Sequence, residues 1–144
     1  MALAAQAPAR LAGLILCNTR STADTAEGKI GREATAKDAL EKGMHVIARA
    51  MVPKVLGATT RRERPTEAMR IEAMMARQAP EAVAAASRAM ALRPDRTDVL
   101  RHFDGPALVI TGDEDELMPL PTSQVMADAL PYGTLVVIPK AGHL

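Results

Sequence analysis

Ala107-Leu108-Val109-Ile110-Thr111-Gly112-Asp113-Glu114-Asp115-Glu116 and Thr134-Leu135-Val136-Val137-Ile138-Pro139-Lys140-Ala141-Gly142-His143 are the two stretches that decide the fold. Each opens as a short apolar run rich in β-branched residues, which reads as a strand buried on both faces. Each then leaves its strand toward ionisable side chains. Gly112 precedes four acids, and Gly142 precedes a histidine and allows an unusual backbone path there. Between the two runs, Val125, Met126, Ala129 and Leu130 share one helix face, with Thr122 or Ser123 available as N-cap and Pro131 closing the segment. Strand, helix, strand within about 32 residues is a βαβ unit, with parallel strands and a right-handed crossover.

Parallel neighbouring strands lie about 4.8 Å apart and send their C-terminal loops off the same sheet edge. An acid from the first loop and His143 from the second can then touch. A carboxylate bonded to one ring nitrogen fixes the imidazole tautomer and leaves the other nitrogen free to accept a proton from a nucleophile. Each half of this pattern alone has a plainer reading. A lone histidine after a strand is commonly a surface residue, and an acidic run is commonly a solvated loop. The run Asp113–Glu116 does not fit a calcium loop, which alternates its ligands and needs a glycine at the sixth position. His45 and His102 have no carboxylate at useful spacing.

Leu11–Cys17, bounded by Pro8 and by Asn18-Thr19, reads as a third buried strand. Some 80 residues, mostly of helical pattern, separate it from the second, far more than one crossover needs. Leu40, Met44, Ile47 and Met51 form one stripe of a helix that stops at Pro53. Thr66 caps a second helix, with Met69, Ala73 and Ala76 on one side. Pro80 opens a third, where Val83, Ala86 and Met90 share a face. This arrangement predicts an α/β fold with a helical insertion carried on a parallel sheet.

The chain has 144 residues, the size of one domain, and a net charge of +1, which argues against a nucleic-acid binder working by bulk charge. Its 48% hydrophobic content excludes disorder, but 28 of those residues are alanine, with one Tyr, one Phe and no Trp, so the expected core is thin. The single Cys17 excludes an internal disulfide framework and a Cys-rich zinc site. Leu11–Cys17 is too short to span a bilayer, and no small-x-small cleavage site follows it, so no membrane association and a cytoplasmic location are expected.

These motifs together resemble the C-terminal half of the α/β-hydrolase fold, in the group that carries a helical cap and includes esterases, enol-lactonases and haloperoxidase-like enzymes. Pro8-Ala9-Arg10-Leu11-Ala12-Gly13-Leu14-Ile15-Leu16 resembles the strand that follows the nucleophile helix, and Ala26 to Ala91 resembles the cap. The resemblance implies residues 1–25 and 93–144 as core and 26–92 as cap or lid. It implies Asp115, the fourth residue counting from Gly112, as the catalytic acid and His143 as the catalytic histidine. It implies no cofactor and no metal, and an ester, lactone or similar carbonyl compound as substrate.

The nucleophile of this fold sits in G-x-S-x-G, ahead of the acid and the histidine in chain order. No G-x-S-x-G occurs in the chain, and Ser21, Ser87 and Ser123 do not follow a strand through a glycine-flanked elbow. The chain opens where the nucleophile's helix would be ending and stops one residue after His143. The expectation is therefore a fragment truncated at both ends, supplying acid and histidine and inactive alone. A non-catalytic degenerate relative or interaction module is the alternative. Oligomeric state, and hydrolase against haloperoxidase-like parentage, stay open.

Overall fold

The computed structural model describes residues 1–144. A short helix α1 (Ala2–Gln6) and a 3-10 turn (Pro8–Arg10) precede strand β1 (Leu14–Cys17). Five helices follow: α2 (Ala26–Lys42), α3 (Met44–Val55), α4 (Ala58–Glu63), α5 (Pro65–Ala76) and α6 (Pro80–Ala91). The chain then returns through α7 (Thr97–Arg101), β2 (Ala107–Gly112), α8 (Leu120–Ala129) and β3 (Gly133–Ile138).

The three strands form one parallel sheet in the order β1-β2-β3. Leu16 pairs with Val109, and Val109 with Leu135. β1 is shorter than the apolar run that encodes it. Pro8 fixes a 3-10 turn that Leu11 closes, and ladder pairing begins only where the Leu14 N–H reaches the carbonyl of Pro106.

Burial on both faces, expected for these strands, does not hold. Leu16, Ala107 and Val109 face a core completed by Leu100 and Phe103, at and just beyond α7, and by Met126 and Leu130, on and just past α8. On the opposite face Ile15 is 69% exposed, and Val136 and Ile138 are exposed with it. The α7 and α8 side covers one face only, and β1 and β3 are both edge strands. Only 26 of 144 residues are buried, so the core is as thin as its alanine-rich composition implies.

The helical segment also departs in detail. Leu40 and Met51 do not share one helix, because Gly43 adopts φ 80° and separates α2 from α3. The buried stripe is Met44, Ala48, Val52 and Val55, while Leu40 is exposed. Pro53 does not end α3. It forfeits one hydrogen bond near the C-terminus, and the helix continues to Val55.

α5 begins at Pro65 rather than being capped by Thr66, and it packs through Ala68, Ile71 and Met75 while Met69 faces solvent. On α6 the buried residues are Ala84 and Ser87 instead of Ala86 and Met90. Small side chains let α2 and α6 approach closely, with Ala36 and Ala39 buried on α2 and the Ser87 hydroxyl donating to the Arg32 carbonyl at 2.9 Å. On α8 the buried residues are Ser123 and Met126; Val125 is exposed, and Pro119 rather than a hydroxyl residue occupies the N-cap.

One polar cluster joins the loop that follows β1 to both ends of the helical segment. The buried carboxylate of Asp24 accepts from Arg20 and from Arg32 at 2.8 Å, and pairs with Arg93 at 3.4 Å. Burial, and then the neighbouring charges of Arg93 and Arg32, push the Arg20 guanidinium below its usual range. Three cations around one carboxylate hold only while that carboxylate is present, because removing one partner of a buried pair leaves uncompensated charge.

Met126 and Val125 test the α8 assignment. Met126 is fully buried, so Met126→Ala is expected to cost about 2–5 kcal/mol, comparable with the whole stability of a small domain. Val125→Ala, at a position 46% exposed, is expected to stay within about 0.5 kcal/mol. Urea midpoints of the two variants check the contrast; equal losses would reverse the face.

Candidate active site

The parallel β2–β3 ladder runs as far as Gly112 opposite Ile138, so the two following loops leave side by side. They are stitched together at once. The Asp113 N–H donates to the Ile138 carbonyl at 3.2 Å, and the Glu114 N–H to the Ala141 carbonyl at 2.9 Å. A side chain at Gly112 would collide with the Ala141 carbonyl, which explains a glycine at the strand end. The unusual backbone expected at Gly142 lies instead at Lys140, with φ 56°. Gly142 is required for space, because a methyl there would strike the Gly57 nitrogen.

These loops bring together the two residues singled out from sequence. His143 Nδ1 lies 2.9 Å from Asp115 Oδ2. The Asp115 carboxylate is fully buried, and its Oδ1 accepts the N–H groups of Leu117 at 2.9 Å and Met118 at 2.8 Å. Those bonds fix the carboxylate independently of the histidine. An ionised carboxylate can only accept a hydrogen bond, here from Nδ1–H, so a neutral ring carries its lone pair on Nε2. The His143 side chain is 24% exposed, and Nε2 makes no hydrogen bond within the chain.

The other acids of the run are occupied elsewhere. Glu114 accepts the N–H of Thr59 at 2.7 Å and also the Thr59 hydroxyl. The Thr59 hydroxyl's bond, followed by the backbone bond, holds the Glu114 carboxyl below its usual range. Glu116 pairs with Arg61 at 3.6 Å, and Asp113 is exposed. His102 meets only a backbone carbonyl, that of Asp98 at 2.8 Å, and His45 is exposed.

Two further contacts were not legible beforehand. The Val55 carbonyl accepts the His143 N–H at 2.9 Å, and the Asn18 amide donates to the His143 carbonyl at 2.7 Å. Asn18 sits just beyond β1 at φ 44°, a conformation that asparagine tolerates better than most residues. Its position after an apolar run was the one available signal.

None of the three serines engages His143. Ser21 is buried against the Thr97 hydroxyl, Ser87 donates to Arg32, and Ser123 is buried on α8. No group of three or more His, Cys, Asp or Glu side chains converges to hold a metal ion, and no helix is long and apolar enough to cross a membrane. Cys17 is free and exposed.

No protein-family model matches the chain, and no curated protein matches it. Solved structures do. A thermophilic esterase from Thermogutta terrifontis is 40% identical with a TM-score of 0.93, over 99% of this chain and 52% of the esterase. An enol-lactonase from Burkholderia xenovorans is 27% identical with a TM-score of 0.85, over 99% of this chain and 53% of that one. A putative non-heme bromoperoxidase from Mycobacterium tuberculosis is 25% identical with a TM-score of 0.74, over 99% of this chain and 54% of that one. The chain thus spans about half the length of these structures. With its parallel sheet and helical insertion, it belongs to the α/β-hydrolase fold family.

Proposed function

We propose that this chain supplies the acid, the base and the helical cap of a serine-type α/β-hydrolase acting on a small ester, lactone or similar carbonyl substrate. The observation that carries this reading is the 2.9 Å contact between a fully buried Asp115 carboxylate and His143 Nδ1, at the C-terminal edge of the sheet, with Nε2 unengaged. The esterase at 40% identity supports the substrate class. Residues 1–25 and 93–144 act as core and 26–92 as cap.

The chemistry runs through His143. A serine hydroxyl, supplied by a part of the fold outside these 144 residues, attacks the substrate carbonyl while Nε2 takes its proton. Asp115 stabilises the imidazolium that forms and keeps the ring in the tautomer that exposes the Nε2 lone pair. The imidazolium then returns the proton to the leaving alkoxide, and water releases the acyl group by the same route. No metal or cofactor enters the scheme. A cytoplasmic location belongs to the same reading.

The burial of Ser21, Ser87 and Ser123 favours a second reading for the chain by itself, a non-catalytic relative that retains the fold's residues. The two readings part under complementation. The purified chain is expected neither to hydrolyse a p-nitrophenyl ester nor to react with a fluorophosphonate. Stoichiometric labelling of any of its serines, with turnover, would overturn the assignment.

Co-expression with the complementary N-terminal portion of the Thermogutta esterase is expected to produce turnover. Asp115→Asn in that assembly should lower kcat by about 10⁴, through the wrong tautomer, with KM little changed. An assembled but inactive complex would favour the non-catalytic reading. Full activity in His143→Ala would remove His143 from the mechanism.

A further inference from the structure

Val55, Gly57 and Thr59, at every second position between α3 and the start of α4, meet the two loops in turn. The Val55 carbonyl accepts two N–H groups, from His143 at 2.9 Å and from Leu144 at 3.0 Å. Gly57 fits between the loops. A methyl on it would lie 3.0 Å from the Gly142 nitrogen and would collide with the Glu114 carboxylate. Thr59 closes the strip by donating both its N–H, at 2.7 Å, and its hydroxyl to Glu114.

Glu114 itself belongs to the acid loop, next to Asp115, and its own N–H holds the Ala141 carbonyl of the histidine loop at 2.9 Å. Acid loop, histidine loop and helical segment therefore meet at one residue.

We propose that Glu114 is a positioning residue. Its carboxylate clamps Val55–Thr59 against both loops, and that strip sets where His143 stands relative to Asp115. The inference rests on the reading of Asp115 and His143 as the acid–base pair and goes beyond it, because it makes the helical segment part of the scaffold that holds the base. The ionised state is the one the contacts favour. The Thr59 hydroxyl and N–H hold Glu114 below the usual carboxylate range, and the charges of Arg62 and Arg61 add to this. A plain helix-terminus contact would stabilise α4 and stop there. Here the chain leads from the Thr59 contact back through two residues of the strip to the carbonyl that holds His143.

Hydrogen exchange and imidazole ¹⁵N spectra of the labelled 144-residue chain test this. Glu114→Ala and Thr59→Val each remove a bond to a charged group. The His143 and Leu144 amides should then exchange roughly tenfold faster or more, as local opening becomes easier. The Val109 and Met126 amides, in the core, should exchange as before. The Nδ1-bound proton of His143 should weaken or vanish from the spectrum in both variants. Thr59→Ser, which keeps the hydroxyl, should restore it.

Equal acceleration at every amide would show that Glu114 only stabilises the fold, and would overturn the proposal. An unchanged Nδ1 proton in both variants would overturn it as well, while leaving the Asp115–His143 pair intact. A wild-type chain with no Nδ1-bound proton at any pH where the protein is folded would overturn the pair itself, and the clamp with it.

Discussion

The parallel ladder from Ala107 opposite Gly133 to Gly112 opposite Ile138 is the constraint on which the rest of the site depends. Because these strands run the same way and end together, their loops have no choice of edge. The acid loop and the histidine loop are neighbours before any side chain is considered. A one-residue slip would turn every side chain of one strand to the other face and bury the wrong set against α8. Val109 and Met126, both fully buried, hold the register that places Asp115 beside His143.

The helical segment meets this framework by two different kinds of contact. At its ends, Asp24 gathers Arg20, Arg32 and Arg93. The Asp24 carboxylate is fully buried while each arginine side chain is about a quarter exposed, so the cluster depends on that one carboxylate more than on the exact placement of any arginine. At its middle, Val55–Thr59 meets the loops through backbone hydrogen bonds and glycine-to-glycine approach. The second contact is the more exacting of the two. A guanidinium on a flexible stem tolerates shifts of an ångström, whereas Gly57 against Gly142 leaves no room for a single methyl.

The sequence made the parallel order legible because β-branched runs, a helix-sized gap and glycine punctuation agreed with one another. The meeting of an acid from the first loop with His143 was legible for a related reason, since the strand ends fixed their side of the sheet; Asp115 as that acid came from the resemblance to the α/β-hydrolase fold. The helix faces were not. In an alanine-rich segment the hydrophobic pattern scarcely distinguishes one face from the next. Ala84 and Ser87 are buried in α6 while Ala86 and Met90 are exposed, a choice made by the close approach of α2. The one-sided burial of the strands was equally hidden, because a run such as Val136-Val137-Ile138 has the same composition whether or not anything covers it. Val55 and Asn18 escaped notice because backbone carbonyls and single amides carry no pattern.

That one-sidedness bears on how the Asp115–His143 pair is held. The uncovered face presents Ile15, Val136 and Ile138 to solvent, and β1 presents an unpaired edge. Neither takes part in placing Asp115 or His143. Asp115 is fixed by the N–H groups of Leu117 and Met118, within its own loop. His143 is fixed by Val55, by Asn18 and by Asp115 itself. All of these partners lie within the chain and away from the bare face. The pair is therefore preorganised by hydrogen bonds made within the chain, and its geometry does not wait on whatever covers the sheet. Such an arrangement suits a proton-transfer site, where the carboxylate must already stand in place when charge develops on the ring.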